Sequence, residues 1–339
     1  MNNIKKIGLS ALAGSLAMVS ASAVELAVSG QTELTYTNHD VANTGNPYGM
    51  GNEISFTGSG DVNGMTASYL ATIRDGGVAT FASSNLLLDM GDLGTIGFDQ
   101  GVGTFGVSTI DDKMPYAYEE ANYGSGGSNG LRAAGGTNAI GYKNSMGGVS
   151  FNFELNAGSG ATTNSAAAAA ATSTSADGAT TGDGTTNSGY NFAMAYSPMD
   201  GVNLGGGYGK EESTDVAQAA AGSDEKFITA YGTYAIEGVT LGYQLSEGSG
   251  GKAGLASNTV EMYGVSFSVN ENMAISYNII DNKFAKASAS DVTEESKGMG
   301  ASYTMGSASV RAVANTTDNV GGIKGTNEEV MEISLALAF

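Results

Sequence analysis

Residues 331–339 read Met-Glu-Ile-Ser-Leu-Ala-Leu-Ala-Phe, a stretch in which large apolar side chains alternate with small or polar ones. Successive side chains of a β-strand point to opposite faces of the sheet. The alternation therefore predicts a strand with one apolar face and one polar face. The polar face holds Glu332 and Ser334, and the apolar face holds Met331, Ile333, Leu335, Leu337 and Phe339.

The same two-residue period recurs toward the N-terminus and predicts sixteen strands in all. In the first strand, Val24, Leu26 and Val28 alternate with Glu25 and Ser29. Short turns and long loops also alternate between the segments, which is typical of an up-and-down antiparallel meander. The predicted strands are 24–37, 51–60, 64–74, 80–90, 94–100, 138–145, 148–157, 188–197, 201–210, 224–236, 238–247, 258–269, 272–284, 294–304, 307–316 and 327–339.

The N-terminus has the three parts of a secretory signal peptide. Lys5 and Lys6 form a basic start, residues 7–19 are apolar, and Ala21-Ser22-Ala23 is a small-residue cleavage pattern. The apolar run is too short for a membrane helix, which needs about 20 residues. We therefore expect residues 1–23 to be removed, leaving a chain of residues 24–339 with a net charge of −22.

The composition excludes several classes of protein. The 339 residues include no cysteine and a single histidine, which excludes disulfides, thiolate or multi-histidine metal sites and most histidine-based catalysis. A formal net charge of −20 argues against nucleic-acid binding, and a charged fraction of 14% does not suit a disordered acidic tail. We therefore predict no enzymatic activity, no cofactor, no metal and no nucleic-acid partner.

A single meander of sixteen strands leaves two sheet edges that need protection. Closure into a barrel removes both edges and pairs every backbone group, as a lipid bilayer requires. A barrel of this size does not fill its interior with side chains, so its lumen holds water and its inner face is polar. The sequence thus predicts an all-β, transmembrane, sixteen-stranded antiparallel barrel whose apolar side chains face lipid.

The mature chain resembles the sixteen-stranded general porins of Gram-negative outer membranes, especially the alphaproteobacterial, Rhodobacter-type porins. The resemblance rests on the signal peptide, the opening strand 24–30 and the closing strand 332–339. It implies a homotrimer in the outer membrane, with short periplasmic turns, long external loops, and contacts with lipid and lipopolysaccharide. It also implies that the barrel-insertion machinery reads the closing strand through Ile333, Leu335, Leu337 and Phe339.

The third long loop, residues 101–137, is the longest charged connector. In the family this loop folds inward and narrows the pore, so the resemblance implies that its charged side chains line a constriction. Proline is tolerated in the first turn of a helix, and we predict a short helix from Pro115 to Asn122. The alternative is a solvated loop face. The predicted constriction residues are Asp111, Asp112, Lys113, Glu119, Glu120 and Arg132.

Charged residues on the polar parity of the other strands are predicted to line the opposite wall. The chain has only three arginines, so this wall is weakly basic, and the acidic net charge predicts modest cation selectivity. The alternative for each charge is plain solvation in a wide pore. The predicted wall residues are the bases Arg74, Lys143 and Arg311 and the acids Glu33, Glu53, Asp99 and Glu154.

These features predict a water-filled diffusion channel for ions and small hydrophilic solutes. The low-complexity segment 157–188 is expected to form an external loop, and His39 a solvated loop residue. Two other functions remain open. A substrate-specific channel would need an aromatic track or a dense basic lumen, and a closed structural or adhesive barrel would need a lumen filled with bulky or paired charged side chains.

Overall fold

The computed structural model of the protein describes residues 25–40, 46–75, 79–111, 113–124, 137–157, 188–211, 224–249, 255–286 and 289–339. The predicted signal peptide, Asp112, Arg132 and most of segment 157–188 lie outside the described residues. Within the described part, no helix is both long enough and apolar enough to cross a membrane.

The architecture consists of sixteen strands joined by turns and loops. The strands are β1 Glu25–His39, β2 Tyr48–Val62, β3 Met65–Asp75, β4 Ala79–Asp89, β5 Thr95–Gln100, β6 Thr137–Met146, β7 Val149–Ala157, β8 Ser188–Met199, β9 Val202–Glu211, β10 Glu225–Ile236, β11 Val239–Ser249, β12 Leu255–Asn270, β13 Met273–Lys286, β14 Val292–Met305, β15 Ala308–Asp318 and β16 Glu328–Ala338. Short 3-10 turns occupy Gly91–Leu93, Gly106–Thr109 and Val320–Gly322.

Each strand pairs antiparallel with its sequence neighbours, and β1 pairs with β16 to close the barrel. This confirms the predicted sixteen-stranded antiparallel barrel. At the closure, the backbone of Phe339 exchanges two hydrogen bonds with Gly30, of 2.8 and 2.9 Å. A side chain at position 30 would overlap the Phe339 ring, so glycine lets the last residue lie flat on the first strand.

The outer face is apolar, as the alternation predicted. The exposed large hydrophobic side chains follow one parity of each strand, for example Leu204 in β9, Ile275 in β13 and Val310 in β15. The opposite parity points into the barrel and is mostly polar. Since the start of β1 and the end of β16 lie beside the turns between β2 and β3 and between β14 and β15, we call that side the short-turn end and the other the long-loop end.

The interior differs from the prediction in one respect, because part of the inner wall is apolar. Phe227 and Tyr231 of β10, Met262 of β12 and Ile280 of β13 point inward and are buried. They form a cluster with Val107, Ile110, Met114, Ala121, Ala193 and Val260. Four members of this cluster belong to the loop after β5, so the loop and the wall share a small hydrophobic core inside the barrel.

Candidate pore constriction

The candidate site is the segment 101–124, which leaves β5 and runs along the inside of the barrel. Its first turn is set by Asp99, whose two carboxylate oxygens accept hydrogen bonds from the backbone N–H groups of Val102 and Thr104 at 2.7 and 2.6 Å. The ring of Phe105 then packs, fully buried, on Gly97 and Gly141 of the wall. The chain is thereby directed inward rather than toward the long-loop end.

The next part of the segment is held against β8 and β9. The N–H of Val107 donates to Oδ1 of Asn191 over 2.8 Å. Val107 and Ile110 lie over Gly207, where a Cβ atom would come within 2.8 Å of one and 3.1 Å of the other. Glycine on the wall therefore makes room for the apolar side of the loop.

Further along, the segment crosses β11 to β13. Pro115 lies on Gly242 and Gly264, and its carbonyl accepts a 2.8 Å hydrogen bond from Nδ2 of Asn278. The N–H of Ala117 donates to Oγ of Ser276 over 2.8 Å. The Pro115 carbonyl, which an α-helix would pair with an N–H four residues later, is thus bonded to the wall instead. Residues 115–122 form no helix, and the predicted helix from Pro115 to Asn122 is wrong.

The last part of the segment is anchored on β15 and β16. Nδ2 of Asn315 donates to the carbonyls of Glu120 and Tyr123, at 2.9 and 3.1 Å. The hydroxyls of Tyr118 and Tyr123 both donate to Glu332, the first over 2.7 Å and the second over 3.0 Å. Thr37 Oγ1 of β1 donates to the same carboxylate over 2.6 Å.

Glu332 is therefore a buried carboxylate surrounded by three hydroxyl donors, two from the loop and one from the wall. We call Glu332, Tyr118, Tyr123 and Thr37 the loop anchor. Burial, together with hydrogen bonds to Glu332 and Glu33, raises the pKa of Tyr118 above its usual range. Burial and the charge of Glu332 raise the pKa of Tyr123 in the same direction. Both phenols thus remain protonated donors at neutral pH.

The loop anchor is continuous with an ion pair on the wall. Nη2 of Arg311 lies 2.5 Å from Oε1 of Glu33, and its Nε donates to Oγ of Ser334 over 3.1 Å. The guanidinium stacks 4.5 Å from the centre of the Tyr118 ring. Tyr118 also lies 2.9 Å from Glu33, so its single hydroxyl proton is shared between Glu33 and Glu332. Arg311 is thus occupied in holding the loop.

Beyond Glu33 of β1, which the loop contacts, the inner wall toward β2 and β3 is left open by the described part of the loop. A cavity of about 280 Å³ there is lined in part by Gln31, Glu33, Glu53 and Arg74. Nε of Arg74 donates to Oε2 of Glu53 over 2.6 Å, and the arginine side chain is 66% exposed. This open wall carries both signs of charge, but its exposed arginine is neutralised by a neighbouring glutamate.

The remaining predicted residues fall into three groups. Asp99 and Glu154 point inward but are buried beneath the loop, and Lys143 lies 5.7 Å from the centre of the Phe105 ring. The described loop residues with charged side chains are half-buried. They are Asp111, Lys113, Glu119 and Glu120. The apolar residues of the closing strand, Ile333, Leu335, Leu337 and Phe339, are exposed on the outer face.

Sequence reasoning missed all four residues of the anchor, including Thr37 of β1. Glu332 lies on the inward parity of the closing strand, and Tyr118 and Tyr123 lie in the charged loop. The inward parity of a carboxylate was the available signal for Glu332. The prediction for His39 is wrong: its side chain is mostly buried, 3.2 Å from the carbonyl of Gly124 and 3.6 Å from Glu328.

Comparisons with known proteins agree with this architecture. No family model matches the chain, and no curated protein matches it. Several solved structures, in contrast, align with nearly the whole chain. Salmonella typhi OmpF in complex with daunomycin aligns with a TM-score of 0.68 and 15% identity, covering 94% of this chain and 100% of that one. The anion-selective porin from Comamonas acidovorans gives 0.64 and 16%, with the same coverage. A mutant of Rh. blastica porin gives 0.59 and 13%, again over 94% and 100%. At these identities the likeness shows the fold, a sixteen-stranded porin barrel.

Proposed function

We propose that the protein is a general porin of the Gram-negative outer membrane. It acts as a water-filled diffusion channel for inorganic ions and small hydrophilic solutes. The observation that carries the proposal is a closed barrel, apolar outside, whose long inner loop is fixed to the wall and leaves the polar wall of β2 and β3 open. The open cavity beside Glu53 and Arg74 supports a channel rather than a closed adhesive barrel.

The channel is modestly cation-selective. Both arginines of the described wall are paired with glutamates, Arg74 with Glu53 and Arg311 with Glu33. Glu332 adds a further carboxylate to the same region. A transverse field of the kind made by unpaired basic clusters is therefore weak, and the acidic surplus favours cations. The loop charges Asp111, Asp112, Lys113, Glu119, Glu120 and Arg132 complete the constriction.

The functional unit is a homotrimer, because the barrel wall at β5 is too short along the membrane normal to span the apolar core of the bilayer by itself. The six residues of β5 extend about 20 Å at 3.3 Å per residue. A strand tilt of about 40° reduces this to roughly 15 Å of height, against an apolar band of about 25 Å in membrane barrels. The sixteen residues of β12 span the band easily. Contact with other subunits would cover the low sector.

A polar ladder on the outer face of β1 to β3 supports the same assignment. Thr32 Oγ1 donates to the side chain of Asn52 over 2.8 Å, and Asn52 Nδ2 donates to Asp75 over 3.2 Å. All three share the parity of outward-facing Leu34 and Ile54. Polar groups on a lipid-facing wall are unfavourable. They fit a wall that faces another subunit.

Targeting follows the resemblance to Rhodobacter-type porins. Residues 1–23 act as the export signal, and the barrel-insertion machinery recognises the closing strand. Phe339 is 76% exposed at the end of that strand and is hydrogen-bonded to Gly30, so it lies where β1 and β16 meet. Outer-membrane lipid and lipopolysaccharide surround the remaining outer face.

The test is single-channel conductance of the refolded protein in a planar bilayer, with the reversal potential measured under a salt gradient. We expect large ohmic steps that close in threes, with cations more permeant than anions. A control barrel heated to denaturation before addition should give no steps.

Each other outcome has a defined meaning. A folded barrel without conductance would contradict the channel and favour a structural or adhesive barrel. Anion preference would overturn the charge assignment while leaving the channel intact. Conductance that one class of sugar or phosphorylated solute blocks at low concentration would favour a substrate-specific channel.

A further inference from the structure

The short-turn end of the barrel holds a polar cavity that the constriction does not use. The cavity has a volume of about 340 Å³ and is bordered by the turn between β4 and β5. Its lining includes Asp89 of β4, Thr95 of β5, Lys143 of β6 and Asn152 of β7. At about 30 Å³ per water molecule, this space is equivalent to roughly ten waters, so it can receive a small organic solute.

These four side chains form one row of the inner wall. In the pairing register, Asp89 lies opposite Thr95, Thr95 opposite Lys143, and Lys143 opposite Asn152. Ile96, the neighbour of Thr95 in the chain, is exposed on the outer face, so the row itself faces the lumen. The row therefore carries an acid, a hydroxyl, a base and an amide on four successive strands.

The acid and the base of this row do not pair with each other. Opposed Cβ atoms on adjacent strands are about 5 Å apart, so the Cβ atoms of Asp89 and Lys143 are about 10 Å apart. No carboxylate of the described residues lies within 4 Å of the Lys143 ammonium, which lies 5.7 Å from the centre of the Phe105 ring. One oxygen of Asp89 accepts a 2.9 Å hydrogen bond from the N–H of Gly91. One cavity thus holds two opposite charges that stay separate.

The cavity lies directly beyond the start of the inner loop. The buried ring of Phe105 packs on Gly141 of β6, and Lys143 is two residues nearer the short-turn end of the same strand. A solute that enters from the long-loop end would therefore meet this row just after the loop.

The separation of the charges favours a zwitterion over a simple ion. An anion at Lys143 would leave the charge of Asp89 uncompensated, and a cation at Asp89 would leave that of Lys143. A molecule that carries both an ammonium and a carboxylate neutralises both side chains. The Thr95 hydroxyl and the Asn152 amide can each donate or accept a hydrogen bond to the same molecule. On the open wall of β2 and β3, in contrast, the arginine and the glutamate are already bonded to each other.

We propose that this row binds small zwitterions of the amino-acid class. The carboxylate lies at Lys143 and Asn152, the ammonium lies at Asp89, and Thr95 lies between them. The inference deepens the proposed function, on which it rests for delivery of the solute from the long-loop end, because it names one class of permeating solute. Binding itself needs only the folded barrel, since the cavity borders a short turn.

The test compares glycine, β-alanine and γ-aminobutyrate, whose charges lie progressively further apart, with acetate and methylammonium as probes of a single charge. Binding is measured by saturation-transfer NMR on the folded barrel in detergent, and separately as the reduction of single-channel current with the probe on both sides. We expect affinity to rise by about threefold from glycine to γ-aminobutyrate, because the longer probe bridges the two side chains better. Acetate and methylammonium should each bind about threefold more weakly than γ-aminobutyrate.

Lys143→Gln and Asp89→Asn should each weaken binding of γ-aminobutyrate by about threefold, the effect of one exposed charge contact. The exchange that combines Asp89→Lys with Lys143→Asp should restore binding, because a zwitterion can bind in the reverse orientation. Asp92→Asn, in the same turn but outside the cavity, is the matched control for the acid. Lys283→Gln, on the outer face, is the control for the base. Both controls should leave binding unchanged.

Equal binding of acetate and γ-aminobutyrate, with no effect of Asp89→Asn, would reduce the row to an anion site and overturn the proposal. Equal binding of methylammonium, with no effect of Lys143→Gln, would overturn it in favour of a cation site. Affinities that do not depend on probe length, or a folded charge exchange that does not restore binding, would also overturn it. Normal conductance without binding would contradict the site alone, whereas binding in detergent without conductance would contradict the channel and leave the site intact.

Discussion

At the scale of single residues, the two wall arginines, Arg74 and Arg311, have different roles. The Arg311 side chain is 27% exposed, paired with Glu33 and stacked on Tyr118, so it serves the position of the loop. The Arg74 side chain is 66% exposed and is bonded to Glu53 on the open wall. An exposed charge acts on the ions that pass through the proposed channel, and it is not needed for packing. Replacing Arg74 should therefore change the ion selectivity without disturbing the fold.

Replacing Arg74 with Gln should therefore increase cation preference without altering stability. Glu53 would lose its neutralising partner and add a net negative charge to the open wall. We expect the cation-to-anion permeability ratio to rise by about twofold, since exposed pairs are worth less than about 1 kcal/mol. The measurement is the reversal potential under a salt gradient. Lys283→Gln, on the outer face, is the control and should leave the ratio unchanged; an equal rise there would refute the role given to Arg74.

Replacing Glu332 with Gln should loosen the loop anchor. The amide keeps the size of the side chain but presents a donor to the hydroxyls of Tyr118, Tyr123 and Thr37. We expect a loss of about 1–3 kcal/mol, as for other buried polar groups left with a mismatched partner. Open-channel current noise should increase. Glu329→Gln, outward on the same strand, should keep a quiet current, and a quiet current in the Glu332 variant would contradict the anchor.

At the scale of elements, the path of the loop is determined by glycines on the wall. Gly97 and Gly141 receive Phe105, Gly207 receives Val107, Gly242 and Gly264 receive Pro115, and Gly298 receives Ala121. A Cβ atom on Gly264 would lie 2.7 Å from Pro115, and one on Gly298 would lie 2.7 Å from Ala121. These six positions, which we call the glycine track, lie on six strands between β5 and β14.

Gly141→Ala should displace the start of the loop, because a methyl group there would overlap the Phe105 ring. We expect a loss of about 1–3 kcal/mol, typical of overpacking in a filled core, and a changed conductance. Gly51→Ala is the matched control, since Gly51 of β2 has no atom within 4 Å of the added methyl group. Combining Gly141→Ala with Phe105→Leu should restore part of the stability. The same conductance in both single variants would show that the track does not position the loop.

The strands were predictable from the sequence because alternation is a local signal. Every strand begins and ends within three residues of its predicted limits. The loop path was not predictable, because it depends on contacts across the barrel. A glycine in a strand reads locally as a weak strand former, and nothing near Gly207 or Gly242 in the chain indicates that Val107 or Pro115 will lie on it.

The same reason explains the errors inside the site. Pro115 has the local chemistry of a helix start. In the structure, however, the side chains of Ser276 and Asn278 form hydrogen bonds with the backbone of residues 117 and 115 from the far wall. The two arginines have the parity expected of a lumen wall. Their pairing with Glu33 and Glu53 depends on the register between strands, which the period of two does not specify.

At the scale of the whole molecule, the wall varies in height around the barrel. The lowest sector lies at β5, and the polar ladder of Thr32, Asn52 and Asp75 lies on the outer face nearby. The proposed subunit contact thus occupies the low side of the barrel.

Asn52→Leu distinguishes a subunit contact from a lipid contact by the sign of its effect. On a lipid-facing wall, replacing an amide with an apolar side chain should be neutral or stabilising. In a subunit contact it breaks the ladder and leaves Asp75 without its amide donor, so the trimer should dissociate at a lower temperature. The measurement is the dissociation temperature in a gel-shift series. Thr293→Leu, outward on β14, should leave it unchanged; a raised temperature for Asn52→Leu would place lipid at this face.

The loop anchor also implies an order of folding steps, in which barrel closure precedes formation of the anchor. Tyr118 and Glu332 are 214 residues apart, and the hydroxyl bond between them needs β16 to lie beside β1. Contacts of such long sequence separation form late, since their loop entropy must be overcome first. The last part of the inner loop, at Tyr118 and Tyr123, therefore stays unanchored until β16 has joined β1, although the earlier part can already contact β8 and β11 to β13. A chain halted before that step lacks the loop anchor, so the anchor distinguishes a closed barrel from an open sheet.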